Sequence, residues 1–210
     1  MLRVIIADDH PIVLKGLKDI MEESFSDAVI DEAPRGYKLL NKIKDGSYDL
    51  ALLDISLPDI NGLEVLKEIK KIKPKLPVLM ISMYPEEQYA ARAIKAGAHG
   101  YITKRSASDE LVMAVRKILS GKRYISPAFA EKMIMDFESD LERPPHEKLS
   151  NRELQVMCIL GKGKTLKEIS EDLHLSINTV RTYRVRILEK IGAKGTNELI
   201  HYVVTHNLLE

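Results

Sequence analysis

Five polar side chains each follow an apolar run of the sequence, and their chemistry suits a divalent cation and a phosphoryl group: Asp8, Asp9, Asp54, Ser82 and Lys104. A carboxylate can attack a phosphoryl group, and we predict that Asp54 is the residue that becomes phosphorylated. Lys104 is placed to pair with the phosphoryl oxygens as a point charge, and Ser82 is placed to donate a hydrogen bond to them. The pattern therefore predicts a site of phosphoryl transfer.

Three of these side chains are candidate ligands of Mg²⁺, which prefers carboxylate oxygens and water. We expect Asp9 and Asp54 to bind the ion, with Asp8 holding a metal-bound water or contacting the ion itself. The peptide carbonyl of Ser56 could supply a further oxygen. Any one of the acids could instead cap a helix or a turn, but this explanation is improbable for five residues at successive strand ends. His10, which follows the acid pair, is expected only to begin a helix.

The elements that would position these side chains are apolar runs that alternate with helical patterns. Buried parallel strands have nearly continuous apolar sequences, and strands that alternate with helices indicate βαβ units. In such a sheet the ligand site lies at the carboxyl ends of the strands. The sequence therefore predicts an α/β domain with a doubly wound, five-stranded parallel sheet. The predicted strands are Leu2–Ala7, Ala28–Ala33, Leu50–Leu53, Val78–Ser82 and Tyr101–Thr103.

The length suits one large domain or two small ones, and the composition is that of an ordinary globular protein. The chain has 210 residues, of which 30% are charged and 45% hydrophobic, and its formal net charge is +1. The single cysteine excludes an intramolecular disulfide. No apolar stretch is long enough to span a bilayer, so we expect a cytoplasmic protein without a membrane contact. Ser126-Pro127 is typical of a helix start. We predict a first domain over 1–120, a linker over 121–147 with a helix near 127–141, and a second domain over 148–210.

The second domain contains the capping residues of four short helices. Residues 150–153 and 165–168 each have the sequence of a capping box, in which side chain and backbone bond reciprocally. Ser176 is expected to cap the third helix and Thr196 the fourth. The connection before Ser176 is very short, and two helices joined this tightly, the second one basic, indicate a helix-turn-helix. We therefore predict an all-α four-helix domain.

The helix predicted over 176–191 carries the candidate DNA contacts, although an ordinary solvated basic helix is the alternative. Arginine can form two hydrogen bonds with guanine, and threonine or valine methyl groups can contact thymine. Arg186 and Lys190 are expected to meet phosphates instead. Arg184 is turned towards the core, so it must extend past its neighbours to reach water. The candidate DNA-binding residues are Asn178, Thr179, Arg181, Thr182, Tyr183, Val185, Arg186 and Lys190.

The first domain resembles the receiver domain of bacterial two-component response regulators. The resemblance rests on Asp8-Asp9, the turn over 54–58, Gly62, Ser82 and residues 100–104. It implies a flavodoxin-like fold, Mg²⁺ as cofactor, and phosphate transfer to Asp54 from the phosphohistidine of a cognate sensor histidine kinase. It also implies a switch in which Ser82 moves to the phosphate and Tyr101 rotates inward. Without the resemblance, Tyr101 would be expected to be a half-buried strand aromatic.

The second domain resembles the LuxR-type DNA-binding domain of NarL/FixJ regulators. The resemblance rests on residues 149–156, 167–169, Leu173, Ser176, and residues 179–183 and 190–192. It implies dimer contacts through the fourth helix, and Tyr183, which stands where the family often has His, can still reach a phosphate. A two-fold dimer presents two recognition helices to an inverted repeat. Both resemblances indicate a NarL/FixJ-type transcription regulator, not an enzyme, that forms a homodimer when phosphorylated and binds double-stranded promoter DNA.

Two other functions fit parts of the sequence. A phosphohydrolase with Asp54 as its nucleophile is the enzymatic alternative. Haloacid-dehalogenase-type phosphatases need an acid two residues after the nucleophile, where this chain has Ser56, so this alternative is disfavoured. A DNA-binding regulator whose first domain works without phosphorylation is the second alternative, and the presence of all five site residues makes it less probable.

Overall fold

The computed structural model of the chain describes residues 1–131, 144–206 and 208–209. The chain divides into two compact units, Met1–Glu138 and Ser139–Glu210. A helix begins after Ser126 and is described over residues 127–131, while the rest of the predicted linker helix lies outside the described residues. No helix of the described residues is both long and apolar enough to cross a membrane.

The first unit is built on a five-stranded parallel sheet. Its strands run in the order β2-β1-β3-β4-β5, which is the flavodoxin-like order of a doubly wound sheet. This confirms the predicted fold class, because every strand pair is parallel. The strands are β1 Leu2–Ala7, β2 Ala28–Ala33, β3 Leu50–Leu53, β4 Val78–Ser82 and β5 Gly100–Thr103.

Four helices connect the strands, and a fifth follows β5; together they cover the sheet. The apolar residues of β3 and β4 are buried throughout, as expected for central parallel strands covered on both faces. One core cluster joins alternate residues of β1, such as Val4 and Ile6, to Leu14 of the first helix and Leu111 of the last. The helices are α1 Pro11–Ser24, α2 Gly36–Asp45, α3 Gly62–Ile72, α4 Glu86–Lys95 and α5 Ala107–Leu119.

The second unit contains the four predicted helices, preceded by a short 3₁₀ turn, Pro145–Lys148. Both predicted capping boxes are present, and the Ser176 side chain accepts a hydrogen bond from the third helix. Gly192 ends that helix in the left-handed region, with φ of 78°. The helices are α6 Asn151–Gly161, α7 Leu166–Asp172, α8 Ile177–Ile191 and α9 Thr196–Thr205.

The predicted cap of α9 is wrong. Gly195 is the residue at the N-cap position, and Thr196 is already the first residue of the helix. The Thr196 hydroxyl instead accepts a hydrogen bond from Arg184 Nε at 2.9 Å. Helical periodicity predicts that Arg184 points towards the core, and the structure shows that its guanidinium binds the first residue of α9.

Candidate phosphoacceptor pocket and DNA-binding helix

The ends of three strands bring Asp8, Asp54 and Lys104 together. β1 and β3 are neighbours in the sheet, and Asp54 N donates to the carbonyl of Ala7 at 2.9 Å. Lys104 follows β5, and its Nζ lies 2.6 Å from Asp8 Oδ2 and 2.7 Å from Asp54 Oδ2. The side chains of Asp8, Asp54 and Lys104 are 1%, 2% and 6% exposed. One ammonium group therefore bridges two buried carboxylates.

Burial makes this arrangement electrostatically costly, and it affects the pKa values of Asp54 and Lys104. Burial raises the pKa of Asp54, and the neighbouring Asp8 raises it further, against the opposing effect of Lys104. Burial also acts to lower the pKa of Lys104, but the two carboxylates outweigh it and raise that pKa. Lys104 therefore stays an ammonium ion. With Asp9 beside them, three carboxylates face one fixed cation, and the pocket favours a further positive charge.

The donor atoms of the pocket fit a divalent cation. Ligand atoms of Asp8, Asp9, His10 and Asp54 all lie within 4.8 Å of one another. Asp9 Oδ1 and Asp54 Oδ1 are buried and have no hydrogen-bond partner among the described residues. Buried carboxylate oxygens in this state are rare unless an ion or water completes them. Carboxylate oxygens are also the ligands that a hard cation such as Mg²⁺ prefers.

His10 takes a larger part in the pocket than the sequence suggested. Its Nδ1 lies 3.1 Å from Asp8 Oδ1 and 2.8 Å from Asp9 Oδ1, and its backbone N–H donates to Asp8 Oδ1 at 2.9 Å. The Asp9 contact has the distance of an ion pair without the angle of a hydrogen bond, so Asp9 Oδ1 remains without a hydrogen-bond partner. In the sequence, His10 directly follows Asp8 and Asp9 and directly precedes Pro11, where α1 begins. This position was the sequence feature that could have indicated a contact with the two acids.

The loop between Asp54 and α3 is held in place by a close backbone contact at Gly62 and by hydrogen bonds of Asp59. A Cβ at Gly62 would lie 2.0 Å from the Asp54 carbonyl oxygen, so only glycine lets α3 begin this close to the phosphoacceptor. Asp59 accepts hydrogen bonds from the N–H groups of Gly36 and Tyr37 at 2.8 and 3.0 Å, and thereby caps α2. Sequence reasoning missed this role of Asp59, because the helix that it caps lies 22 residues away.

Ser56 lies in this loop, two residues after Asp54. A hydrogen bond from its backbone N–H acts to lower the pKa of the Asp54 carboxyl. The Ser56 peptide is therefore already directed at the phosphoacceptor. Its carbonyl as a metal ligand stays a prediction.

Tyr101 lies inside the domain. The expectation of a half-buried aromatic is wrong, because Tyr101 is fully buried and its hydroxyl donates to the carbonyl of Tyr84 at 2.7 Å. Burial raises the pKa of Tyr101 well above its usual value. Ser82 is also buried, and its Oγ accepts from the Tyr84 N–H at 3.4 Å. Both predicted switch residues thus contact Tyr84, in the loop between β4 and α4.

The candidate DNA contacts of α8 lie mainly on one exposed face. Helical spacing puts these residues on the same side, where side chains project away from the core. Thr179 and Tyr183 flank that face and are partly buried. Arg181 Nη1 donates to Asn178 Oδ1 at 3.3 Å, which holds the guanidinium along the helix surface. The exposed members are Asn178, Arg181, Thr182, Val185, Arg186 and Lys190.

Lys190 already has an intramolecular partner. Its Nζ lies 2.6 Å from Glu153 Oε2, and the Glu153 side chain is only 4% exposed, whereas that of Lys190 is 40% exposed. Glu153 is also part of the capping box of α6, since its carboxylate accepts from Ser150 N at 2.7 Å. The end of α8 is therefore tied to the start of α6. The predicted phosphate contact of Lys190 stays a prediction, and it would have to compete with this ion pair.

Comparisons with known proteins agree with both resemblances. The family described as "Response regulator receiver domain" matches residues 4–116, and "Bacterial regulatory proteins, luxR family" matches residues 147–203. Response regulator UvrY of Escherichia coli (strain K12) is 35% identical over 209 residues, which cover 99% of this chain and 96% of UvrY. Response regulator GacA of Pseudomonas viridiflava is 32% identical over 211 residues, which cover 100% of this chain and 99% of GacA.

A solved structure is similar in fold to this chain. It is RcsB from Salmonella enterica serovar Typhimurium, bound to promoter rprA in the presence of the phosphomimetic BeF3−. The TM-score is 0.67 at 24% sequence identity, and the match covers 97% of this chain and 99% of RcsB. At this identity the likeness shows the fold alone.

Proposed function

Because this chain belongs to the bacterial response regulators that join a receiver domain to a LuxR-type DNA-binding domain, we propose that phosphorylation of Asp54 controls its binding to promoter DNA. The observation that carries this proposal is the buried Lys104 bridge between Asp8 and Asp54. Beside it, Asp54 Oδ1 is buried without a hydrogen-bond partner among the described residues. A nucleophilic oxygen and a fixed cation thus share one pocket.

In the proposed reaction, a carboxylate oxygen of Asp54 attacks the phosphorus of a phosphohistidine on a sensor histidine kinase. The new P–O bond forms while the P–N bond breaks, and the imidazole nitrogen leaves with the bonding electron pair. Lys104, held 2.7 Å from Asp54 Oδ2, then pairs with the phosphoryl oxygens. The Ser82 hydroxyl donates a hydrogen bond to the same phosphoryl group.

Asp9, Asp54 and the Ser56 carbonyl would hold a Mg²⁺ ion, and Asp8 would contact the ion or a water bound to it. When bound, the ion offsets the negative charge on the transferred phosphoryl group. The two buried oxygens without hydrogen-bond partners, Asp9 Oδ1 and Asp54 Oδ1, support this assignment.

The output of the switch is proposed to be a homodimer that binds an inverted repeat. Phosphorylation adds charge and acceptor oxygens at the pocket, and a bistable surface can convert that change into a new assembly. Val204 on α9 is 55% exposed, which supports a contact surface on this helix. In a two-fold dimer, the α8 helices of both subunits would enter successive major grooves.

The test is phosphorylation by acetyl phosphate in the presence of Mg²⁺. Wild-type protein should acquire one phosphoryl group, and Asp54→Asn should acquire none, because the amide is not a nucleophile. Asp19→Asn, an exposed acid on α1, is the matched control and should be labelled like wild type. Chelation of Mg²⁺ should prevent labelling. Labelled protein should also sediment with a larger dimer fraction. Labelling that survives in Asp54→Asn would overturn the site assignment.

A further inference from the structure

The segment that follows α5 is attached to the edge of the sheet. Tyr124 N donates to the carbonyl of His99 at 2.8 Å, and Tyr124 forms a parallel bridge with Gly100 in β5. A Cβ at position 100 would lie 2.8 Å from the Tyr124 carbonyl oxygen, so glycine permits this approach. The Tyr124 hydroxyl donates to Glu110 Oε2 on α5 at 2.8 Å. This segment therefore covers the edge strand β5.

Ser126 makes a second attachment, this time to α4. Its hydroxyl is hydrogen-bonded to Oε2 of Glu86, the first residue of α4. The same Ser126 oxygen accepts from Phe129 N at 3.2 Å and so caps the helix that begins at residue 127. Glu86 Oε1 is buried without a hydrogen-bond partner among the described residues. The Ser126 hydroxyl thus connects α4, which follows the Tyr84 loop, to the start of the linker helix.

Glu86 stands two residues after the residue that both switch side chains contact. The Tyr84 carbonyl accepts from the Tyr101 hydroxyl, and the Tyr84 N–H donates to Ser82 Oγ. The Tyr84 ring also stacks on Tyr89 of α4, with ring centroids 4.7 Å apart. These contacts give a movement of Ser82 or Tyr101 a direct route to the start of α4, where Glu86 lies.

We propose that Glu86 and Ser126 form a latch that couples the phosphorylation state of the Asp54 pocket to the start of the linker helix. This inference rests on the proposed phosphorylation of Asp54. The receiver resemblance implies that Tyr101 turns inward on phosphorylation, and here the buried Tyr101 ring occurs together with the closed latch. In the proposed scheme, phosphorylation therefore stabilises the closed latch and the order of residues 122–131. Glu86 is a positioning residue in this scheme, since it acts on the linker and touches no phosphoryl group.

Hydrogen exchange of the full-length chain tests the latch, with Mg²⁺ and beryllofluoride as the phosphoryl mimic. In wild type, the mimic should slow exchange of amides in 54–62, at the pocket, and should slow exchange in 122–131 about tenfold. Glu86→Ala keeps the Ser126 cap of the linker helix but removes its partner. In this variant the effect at 54–62 should persist, and the effect at 122–131 should fall below about twofold.

Two further variants separate the latch from a general effect on α4. Glu87→Ala removes the same charge from the neighbouring, exposed residue, and it should respond like wild type. Glu86→Gln retains a hydrogen-bonding partner for Ser126 and should restore most of the response. The latch is overturned if wild type slows exchange at 54–62 but not at 122–131, or if Glu86→Ala responds as wild type does. Absence of any effect at 54–62 would overturn the proposed phosphorylation, and the latch with it.

Discussion

The phosphoacceptor pocket and the α8 face are two sites built in opposite ways. In the pocket, Asp8, Asp54 and Lys104 are buried and paired with one another across three strand ends. On α8, most candidate DNA contacts are exposed side chains, and a contact such as that of Arg181 with Asn178 is local. Lys190, paired with Glu153 of α6, is the exception among the contacts described above. The pocket therefore belongs to the folded core, whereas the α8 face is largely independent of it.

This difference determines where a substitution should be detected. Removing one partner from a buried set of charges leaves the others uncompensated, so the fold itself loses stability. Removing an exposed side chain changes stability little, and its energy appears only when DNA is bound. Stability measurements therefore report on the pocket, and DNA-binding measurements report on the α8 face.

Lys104→Met should give the largest loss of stability. It leaves Asp8 and Asp54 buried beside each other without their cation, and we expect the free energy of unfolding to fall by about 3 kcal/mol or more. Urea denaturation of the metal-free protein measures this loss, and Lys75→Met, at an exposed position, should change it little. Added Mg²⁺ should recover part of the loss, because a second cation relieves the same repulsion. A loss below about 1 kcal/mol would contradict the view that the bridge stabilises the pocket.

Arg181→Ala should have the opposite profile. Unfolding should change by no more than about 0.5 kcal/mol, while binding to the specific inverted repeat should weaken by roughly 1–3 kcal/mol with relaxed preference at one base pair. Arg186→Ala removes a predicted phosphate contact, so it should weaken binding to specific and random DNA alike and reduce the salt slope by about one. Competition binding at several salt concentrations distinguishes the two. Equal losses for both DNAs in Arg181→Ala would show that this face does not read bases.

The sequence predicted the fold and the proximity of Asp8, Asp54 and Lys104, because both follow from one rule. Apolar runs that alternate with helices predict a parallel sheet, and its topology brings the strand ends to one edge. Asp8, Asp54 and Lys104 could therefore be placed together although 46 residues or more separate each from the next in the chain. No side-chain detail was needed, since the backbone order alone determines that these residues meet.

Contacts that depend on side-chain direction between helices could not be predicted in this way. Periodicity placed Lys190 near the outer face of α8, but a long flexible side chain can also reach a buried acid such as Glu153. Threonine is a common N-cap residue, but α9 begins at Thr196 itself, and Gly195 occupies the N-cap position. The boundaries predicted at 120 and 147 stay predictions as well, because composition does not identify which unit a linker helix packs against.

Lys190→Ala tests a residue that combines features of both sites, because Lys190 is a predicted DNA contact and also pairs with the buried Glu153. Burial acts to raise the pKa of Glu153, but hydrogen bonds from Lys190 and Ser150 outweigh it and hold that pKa below its usual 4.5. A lowered pKa in the folded state stabilises the protein at pH above 4.5, and this contribution is lost as the pH falls through the folded-state value. We expect Lys190→Ala to cost about 1 kcal/mol at neutral pH, since Lys190 is partly exposed, and almost nothing in acid.

Urea denaturation of wild type and Lys190→Ala across this pH range measures the effect. Lys190→Arg should retain most of the stability, because the guanidinium can still pair with the carboxylate. A variant that unfolds like wild type at neutral pH, but binds all DNA more weakly with a lower salt slope, would show that the phosphate contact is the main role of Lys190. The residue would then belong with Arg186 on the α8 face.

His174→Gly should give the smallest effect, and in the opposite direction. His174 lies in the turn between α7 and α8, and its φ of 51° is the positive value that favours glycine. Glycine should relieve this strain but lose the contact between His174 Nδ1 and the carbonyl of Glu171 at 2.8 Å, so we expect a net gain of about 0.5 kcal/mol. Thermal or urea unfolding measures the gain. Affinity for specific DNA should stay unchanged, because the turn positions α8 without being one of the predicted contacts. If His174→Gly weakens DNA binding while stabilising the fold, the α8 face depends on the scaffold more closely than the exposed contacts suggest.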